Sequence, residues 1–167
     1  MSGWPTVDSV QFARTNGKLK TSAPIADLKR LVQVILEGEE EFNVRLEGFQ
    51  DNDSRPCLRL RVNGTIRVAC QRCLEPLSIE LASDRHFVLV EREDQLLDLS
   101  DEDDSVESLL ADEKFDVMVL VEDEILLQLP ISPTHDPEAC TAPEWTAQGT
   151  AGDSAFSILS TLTRTKN

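Results

Sequence analysis

Hydrophobic residues at every second position dominate the middle of the chain. They recur in residues 42–46, 58–70 and 77–81, with polar residues between them, and residues 86–90 continue or restart the last run. Alternation with a period of two is typical of strands that bury one face and expose the other. These runs predict an antiparallel meander of three or four strands with one apolar face.

The longest run contains Asn63-Gly64, a dipeptide that favours hairpin turns. A two-residue turn at this point would pair Arg61 with Ile66 and mix polar and apolar residues on one face. Because the alternation continues without interruption, we predict one long strand that bends or bulges at Gly64.

A different period predicts the first helix. Residues 24–36 carry apolar side chains at positions 25, 28, 31, 32 and 35, the spacing of an amphipathic helix. Pro24 is tolerated in a first helical turn, and Gly38 can end the helix. We expect this helix to cover one face of the sheet. Upstream, residues 10–12 have the pattern of a short strand.

A second helix is predicted at residues 117–129, with Asp116 as its N-cap and Pro130 as its end. The segment is apolar nearly all round, which indicates a buried helix. We interpret Glu122, Asp123 and Glu124 as its solvent-facing stripe. The alternative interpretation is a set of paired carboxylates for acid–base chemistry.

These elements fit one domain. We predict an α+β fold over residues 1–140: an antiparallel meander, or a small partly closed barrel, covered by helices. Residues 93–114 are dense in acidic side chains and predict a mobile loop. Residues 141–167 read as a linker followed by a short amphipathic segment.

Charge divides the chain into two halves. The net charge is −15, and residues 1–90 contain 12 basic and 12 acidic residues, whereas residues 91–167 contain 4 and 19. The acidic half repels phosphate, so direct contact with RNA must use the first half. The acidic half suits a basic partner; alternatively, it keeps the protein soluble. No apolar run approaches a membrane span and no signal peptide is visible, so we expect a cytoplasmic protein.

Two short spacings point to a metal site. Cys70 and Cys73 form a Cys-x-x-Cys at a strand end, and His135 and Cys140 lie far downstream. Together they make a Cys3His set, which suits one structural zinc ion. The alternative is that the thiols are simply buried. Redox chemistry is disfavoured because no helix follows the motif to lower a thiol pKa.

Arginines mark the polar face of the long strand. Arg59, Arg61 and Arg67 share one face, and Arg72 extends the row past its end. They are candidates for binding RNA or another partner; alternatively they pair with Glu47 or Glu80. The chain has no phosphate-binding glycine loop or nucleophile elbow, so we predict binding rather than catalysis and no small-molecule substrate.

Three segments in this order resemble the bacterial YceD family. They are Val68-Ala-Cys-Gln-Arg-Cys-Leu-Glu-Pro76, then Val121-Glu-Asp-Glu-Ile-Leu-Leu-Gln-Leu-Pro130 with His135 and Cys140, then Ala155-Phe-Ser-Ile-Leu-Ser-Thr-Leu162. Some family members have a second Cys-x-x-Cys where this chain has only His135 and Cys140.

The resemblance implies a cytoplasmic ribosome-biogenesis factor for the synthesis, processing or stability of 23S ribosomal RNA. No catalytic residue is established for the family, so the resemblance transfers none to this chain. Two mechanisms remain open. In the first, the protein binds precursor RNA through arginines of the first half, namely Arg45, Arg59, Arg61, Arg67 and Arg72. In the second, its acidic half holds a basic large-subunit ribosomal protein during assembly.

Overall fold

A five-stranded sheet organises the computed structural model, which describes residues 4–36, 41–96 and 106–140. The elements are, in chain order, β1 (Thr6–Val7), α1 (Ser9–Arg14), β2 (Lys18–Pro24), β3 (Glu41–Gln50), β4 (Pro56–Ala69), β5 (Pro76–Val90), β6 (Val106–Leu110), β7 (Phe115–Asp116) and α2 (Val117–Gln128). Short 3-10 helices occur at Ile25–Asp27, Leu31–Gln33 and Glu93–Gln95.

The predicted meander is confirmed. Strands β2 to β5 pair antiparallel in chain order, and β6 adds to β5 in parallel. The fold is therefore α+β with a mixed sheet. Within the described ranges β2 and β6 form the two sheet edges, and no pairing between them closes a barrel.

The long strand is also confirmed, because β4 runs through Gly64 without a turn. Its register with β5 is continuous from Cys57 to Ala69, so the predicted bulge is absent. Gly64 serves packing instead: a Cβ at this position would lie 2.6 Å from the ring of Phe42. The glycine leaves room for an aromatic ring on the neighbouring strand.

The predicted helix over residues 24–36 is wrong. Strand β2 continues to Pro24, and two 3-10 turns follow. The apolar positions Ile25, Leu28 and Leu31 are buried, as an amphipathic helix would have them. However, the backbone N–H groups of Arg30 and Leu31 donate to the side chain of Glu122 rather than to helical carbonyls. A tertiary contact thus overrides the local periodicity.

The short strand predicted at residues 10–12 is a helical turn instead. Asp8 caps α1 by accepting a hydrogen bond of 2.8 Å from the backbone N–H of Gln11. The helix lies close against β3, since a Cβ at Gly48 would meet the carbonyl oxygen of Phe12 at 2.5 Å. The capping signal at Asp8 outweighs a strand pattern of three residues.

Helix α2 begins as predicted, with Asp116 accepting hydrogen bonds from Met118 and Val119. It packs on one face of the sheet, which we call the inner face. The core between them is mainly aliphatic. Its largest fully buried side chains are Phe42, Leu28, Leu31, Leu46, Leu58, Leu60, Ile66, Ile125, Val44, Val117 and Val121.

The interpretation of residues 122–124 as a solvent-facing stripe is wrong for two of the three. Glu122 and Glu124 are only 7% and 3% exposed. Glu124 accepts hydrogen bonds from Ser83, Arg85 and Gln128. Burial of a carboxylate is tolerated when donors surround it, so both acids belong to the core.

The acidic loop predicted at residues 93–114 needs a correction. Residues 106–110 form strand β6, and the Ser108 hydroxyl donates to the carbonyl of Leu96. Residues 97–105, like the predicted linker and amphipathic segment at 141–167, lie outside the described residues. Among the helices in the described ranges, none is long and apolar enough to cross a membrane.

Candidate metal centre and outer sheet face

The turn between β4 and β5 brings Cys70 and Cys73 together. The backbone N–H of Cys70 donates to the carbonyl of Glu75, and that of Leu74 donates to the carbonyl of Cys70, each at 2.9 Å. Leu74 adopts a left-handed conformation with φ of 65°, which reverses the chain after Cys73. The turn therefore leaves both sulfurs buried against Leu77.

The segment after α2 supplies the other half of the cluster. The backbone N–H of Gln71 donates to the carbonyl of Pro133 at 2.8 Å, which attaches this segment to the hairpin turn. A second turn, in which the N–H groups of Ala139 and Cys140 donate to the carbonyl of Asp136, points Cys140 back. Cys140 is 7% exposed.

The four predicted ligand atoms lie within 4.8 Å of one another. The sulfurs of Cys70 and Cys140 are 3.8 Å apart, and the Cys73 sulfur is 3.3 Å from Nδ1 of His135. Zinc–sulfur bonds of about 2.3 Å at tetrahedral angles place two sulfurs about 3.8 Å apart. The donor set and these separations fit a tetrahedral zinc ion, and all four ligand positions are protein side chains.

The surroundings of the cluster orient its ligands. Nε2 of His135 donates to the carbonyl of Pro76 at 3.1 Å, and Nδ1 is directed at the cluster, 3.3 Å from the Cys73 sulfur. A second partner of this kind is usual for histidine ligands of metals. The backbone N–H groups of Arg72 and His135 also approach the Cys70 sulfur, at 3.4 and 3.5 Å.

These contacts shift the pKa values of the Cys70 and Cys140 thiols in opposite directions. Burial alone raises the pKa of Cys70, but hydrogen bonds from the backbone of Cys73, His135 and Arg72 outweigh it and lower the pKa to about 5. Burial and the neighbouring sulfurs of Cys70 and Cys73 raise the pKa of Cys140 to about 11. Three crowded sulfurs cannot all ionise without a compensating cation, which a metal supplies.

The sheet face opposite α2, which we call the outer face, carries the predicted arginines. Arg59 donates two hydrogen bonds to Asp84, at 2.7 and 2.6 Å. Arg61 donates to Asp84 at 3.1 Å and lies 3.4 Å from Glu47. The Arg59 hydrogen bond is the main cause that lowers the pKa of Asp84 to about 2. Asp84 is an ion-pair partner of Arg59 and Arg61 that the sequence analysis did not predict.

The remaining predicted cations occupy different places. Arg67 is exposed on the same face of β4, opposite Ser78. Arg72 is exposed in the turn between the two cysteines, beyond the strand. The structure therefore brings Arg59 and Arg61 together and places Arg72 beside the metal cluster.

Strand register creates a row of cations that the sequence only hinted at. Lys20 lies opposite Arg45, and Arg45 lies opposite Arg61. Neighbouring strands are about 4.8 Å apart, so three positive side chains stand side by side. We call Lys20, Arg45 and Arg61 the basic row. In the described part of the chain, Lys20 and Arg45 form no ion pair.

Comparison with known proteins identifies relatives. Residues 58–159 match the family model described as "Large ribosomal RNA subunit accumulation protein YceD". A Haemophilus influenzae protein with that name is 27% identical over 135 residues, which cover 81% of this chain and 77% of the relative. No solved structure matches the chain. The matched range includes most of β4, all of β5 and α2, and all four residues of the metal cluster.

Proposed function

Because the chain belongs to the YceD family, we propose that it is a ribosome-biogenesis factor acting by binding, not catalysis, in 23S ribosomal RNA accumulation. The family accounts for the role in accumulation of large-subunit ribosomal RNA. The mechanism is our proposal: the outer face binds precursor RNA through its cations.

The basic row is the observation that carries this mechanism. Like charges directly opposite each other destabilise a sheet, so Lys20, Arg45 and Arg61 need an anion to compensate them. Of these three cations, only Arg61 forms ion pairs with Asp84 and Glu47 in the described residues. A phosphate backbone crossing the strands would serve Lys20 and Arg45, and it would release bound counterions.

The same contacts change the roles of the arginines predicted from the sequence. Arg59 and Arg61 are held by Asp84, so they contribute less positive potential than their number suggests. Lys20 and Arg45 become the main phosphate contacts, and Arg61 adjoins them. Arg72 lies apart from the row, and it serves the turn of the metal cluster.

The metal cluster has a structural role in this proposal. Four protein ligands close a zinc site and leave no position for a substrate, so the ion holds the segment after α2 on the β4–β5 turn. Binding rather than catalysis is also supported by Glu122 and Glu124, because donors in the core already engage both carboxylates.

RNA binding by the Lys20→Ser/Arg45→Ser double variant tests the mechanism. Affinity for single-stranded ribosomal RNA fragments should fall, and the slope of log K against log salt should fall by about 1.4, at about 0.7 per phosphate contact. Arg14→Ser/Lys114→Ser removes the same charge from exposed positions away from the row and is the matched control. Equal slopes for both double variants would refute the row as the contact surface.

A second candidate function rests on the acidic half of the chain. Residues 91–167 contain 19 acidic and 4 basic residues, a balance that suits a basic large-subunit ribosomal protein as the partner. Capture of such a protein at low salt, with no RNA binding by the wild-type chain, would favour this function over the first.

A further inference from the structure

One end of the outer face carries an aromatic pair that the phosphate contacts do not use. Phe49, near the end of β3, and His86, on β5, both project from this face and are half-buried. Their ring centroids are 5.9 Å apart, with an angle of 67° between the ring planes. The rings meet above β4, because Phe49 lies opposite Cys57 and His86 lies opposite Arg59.

Two adjoining cavities share these rings as a common wall. The first has a volume of about 190 Å³ and an apolar floor of Cys57, Val88 and Val106. The second has a volume of about 390 Å³ and polar walls that include Asn16, Lys18 and Arg59. An apolar slot therefore lies directly beside a polar groove that contains Lys18, Arg59 and Glu47.

We infer that this slot binds one unpaired base of a single-stranded RNA, stacked on Phe49, while Lys18 contacts the adjacent phosphate. The inference rests on the proposed RNA-binding function and extends it from phosphate contact to base contact. A nucleobase has flat apolar faces and a polar edge, which match the slot and the groove beside it. Aromatic side chains on sheet faces commonly stack unpaired bases.

The location of the slot connects it to the basic row. Lys18 is two residues from Lys20 on the same face of β2, and Arg59 is two residues from Arg61 on β4. Residues two apart on a strand are separated by about 6.6 Å, which is close to the spacing of phosphates in a single strand. One strand of RNA can therefore lie over the row and continue to the slot.

The charges around the two cavities leave Lys18 as the contact for an anionic group. The cavity walls contain three cations, Lys18, Arg55 and Arg59, and two carboxylates, Glu47 and Asp51, while Asp84 pairs with Arg59 and Glu47 lies opposite Lys18 in the strand register. Arg55 is held by Asp51 and Arg59 by Asp84, which leaves Lys18 as the cation with no ion pair in the described residues. That is the arrangement expected for one phosphate beside one base.

The Phe49→Leu variant tests how much ring stacking contributes to RNA affinity, independently of charge. The substitution keeps an apolar side chain and removes the aromatic face, so affinity for a 12-nucleotide single-stranded RNA should fall about tenfold. The salt slope should stay unchanged because no phosphate contact is lost. Binding of duplex RNA, whose bases are already paired, should not change. Phe49→Trp, which retains a ring, should restore the affinity.

Phe12→Leu is the matched control, since Phe12 is a half-buried phenylalanine of α1 that packs on Gly17. Its affinity should equal that of the wild type. If Phe49→Leu does not fold, photocrosslinking of the wild-type chain to 5-iodouridine RNA provides a second test. Crosslinks should map to Phe49 or His86 by mass spectrometry.

The outcomes distinguish the two levels of the proposal. If the wild-type chain binds RNA and Phe49→Leu binds it with the same affinity, the slot does not bind a base, and the basic row remains the contact surface. Crosslinks found only outside the slot would lead to the same conclusion. Failure of the wild-type chain to bind RNA overturns the proposed function and the base pocket together. Selective capture of a protein through Phe49 would also refute the RNA assignment.

Discussion

The backbone N–H of Arg30 donates a hydrogen bond of 2.6 Å to Oε1 of Glu122, across 92 positions of the chain. The same carboxylate accepts the N–H of Leu31 at 3.2 Å and pairs with the Arg30 guanidinium through its other oxygen. Glu122 therefore replaces the helical acceptors that residues 30 and 31 lack. One buried side chain fixes the irregular segment after β2 on α2.

Replacement of Glu122 by alanine should lower the free energy of unfolding by about 2–4 kcal/mol. Two backbone donors lose their acceptor, and each buried unsatisfied group costs about 1–3 kcal/mol. Urea denaturation at pH 7 measures the effect. Asp123→Ala is the control, because its ion pair with Arg30 is exposed and its loss should cost less than about 1 kcal/mol. Equal losses for both variants would refute the role of Glu122.

Metal removal should unfold one part of the molecule and not the whole. Cys70, Cys73 and Cys140 form a small cluster with Leu77, separate from the main core. Protein purified without chelator should contain about one zinc per chain, and Cys140→Ser should lose it. After chelation, hydrogen exchange should accelerate at residues 130–140 and in the β4–β5 turn, while β3 stays protected. Metal-free protein with an unchanged exchange pattern would contradict the structural role.

The strands and the Cys70 and Cys73 half of the metal cluster could be predicted because their signals are local. Alternation in residues 58–70 fixed one buried face, and the spacing of the Cys-x-x-Cys placed two sulfurs in one turn. The spacing alone did not bring His135 to the turn; the hydrogen bond between Gln71 and Pro133 does that.

The errors at residues 24–36 and 122–124 have a common physical cause, which is contact between distant segments. The 3-10 turns after Pro24 depend on Glu122, and Glu122 is buried because Arg30 reaches it. The basic row and the aromatic pair depend on strand register, which sets Lys20 beside Arg45 and Phe49 above β4. Sequence periodicity gives the face of a side chain but not its neighbour on the next strand.

Acid should weaken the fold partly through Asp84. Its two arginine partners lower its pKa from the ordinary value of 3.8 to about 2. The unfolded chain therefore binds a proton first as the pH falls, so the stabilisation is complete above about pH 5 and is lost as the pH falls through about 2. Asp84→Asn should flatten the decline of stability over this window, measured by thermal unfolding. An Asp84→Asn decline that matches the wild type over this window would contradict the role of Asp84.

Replacement of Arg59, Arg61 and Arg67 together by serine should leave the fold intact, because these outer-face side chains are partly or fully exposed. The ion pairs with Asp84 and Glu47 already neutralise part of this charge. We therefore expect a smaller loss of RNA affinity than for Lys20→Ser/Arg45→Ser, measured by fluorescence anisotropy at two salt concentrations. A larger loss of affinity would indicate that the RNA contacts the arginines along β4 rather than Lys20 and Arg45.

Asp84→Asn should strengthen RNA binding, because the Asp84 carboxylate pairs with two arginines of the outer face. Asp84 holds the guanidinium groups of both Arg59 and Arg61. The neutral amide keeps a similar shape but releases the charge of Arg59 and leaves Arg61 only its ion pair with Glu47 at 3.4 Å, so phosphate can recruit both arginines. The salt slope should steepen by up to about 1.4, at about 0.7 for each new phosphate contact.

Glu80→Gln is the control that distinguishes the loss of the Asp84 ion pairs from a general change of net charge. Glu80 lies on the same strand and face as Asp84, but its neighbour on β4 is Thr65, so its loss frees neither arginine. The two variants have the same net charge, and only Asp84→Asn should steepen the slope. Equal gains would mean that the RNA responds to net charge alone. If neither variant binds RNA more tightly, Arg59 and Arg61 serve the sheet, and the contact remains with Lys20 and Arg45.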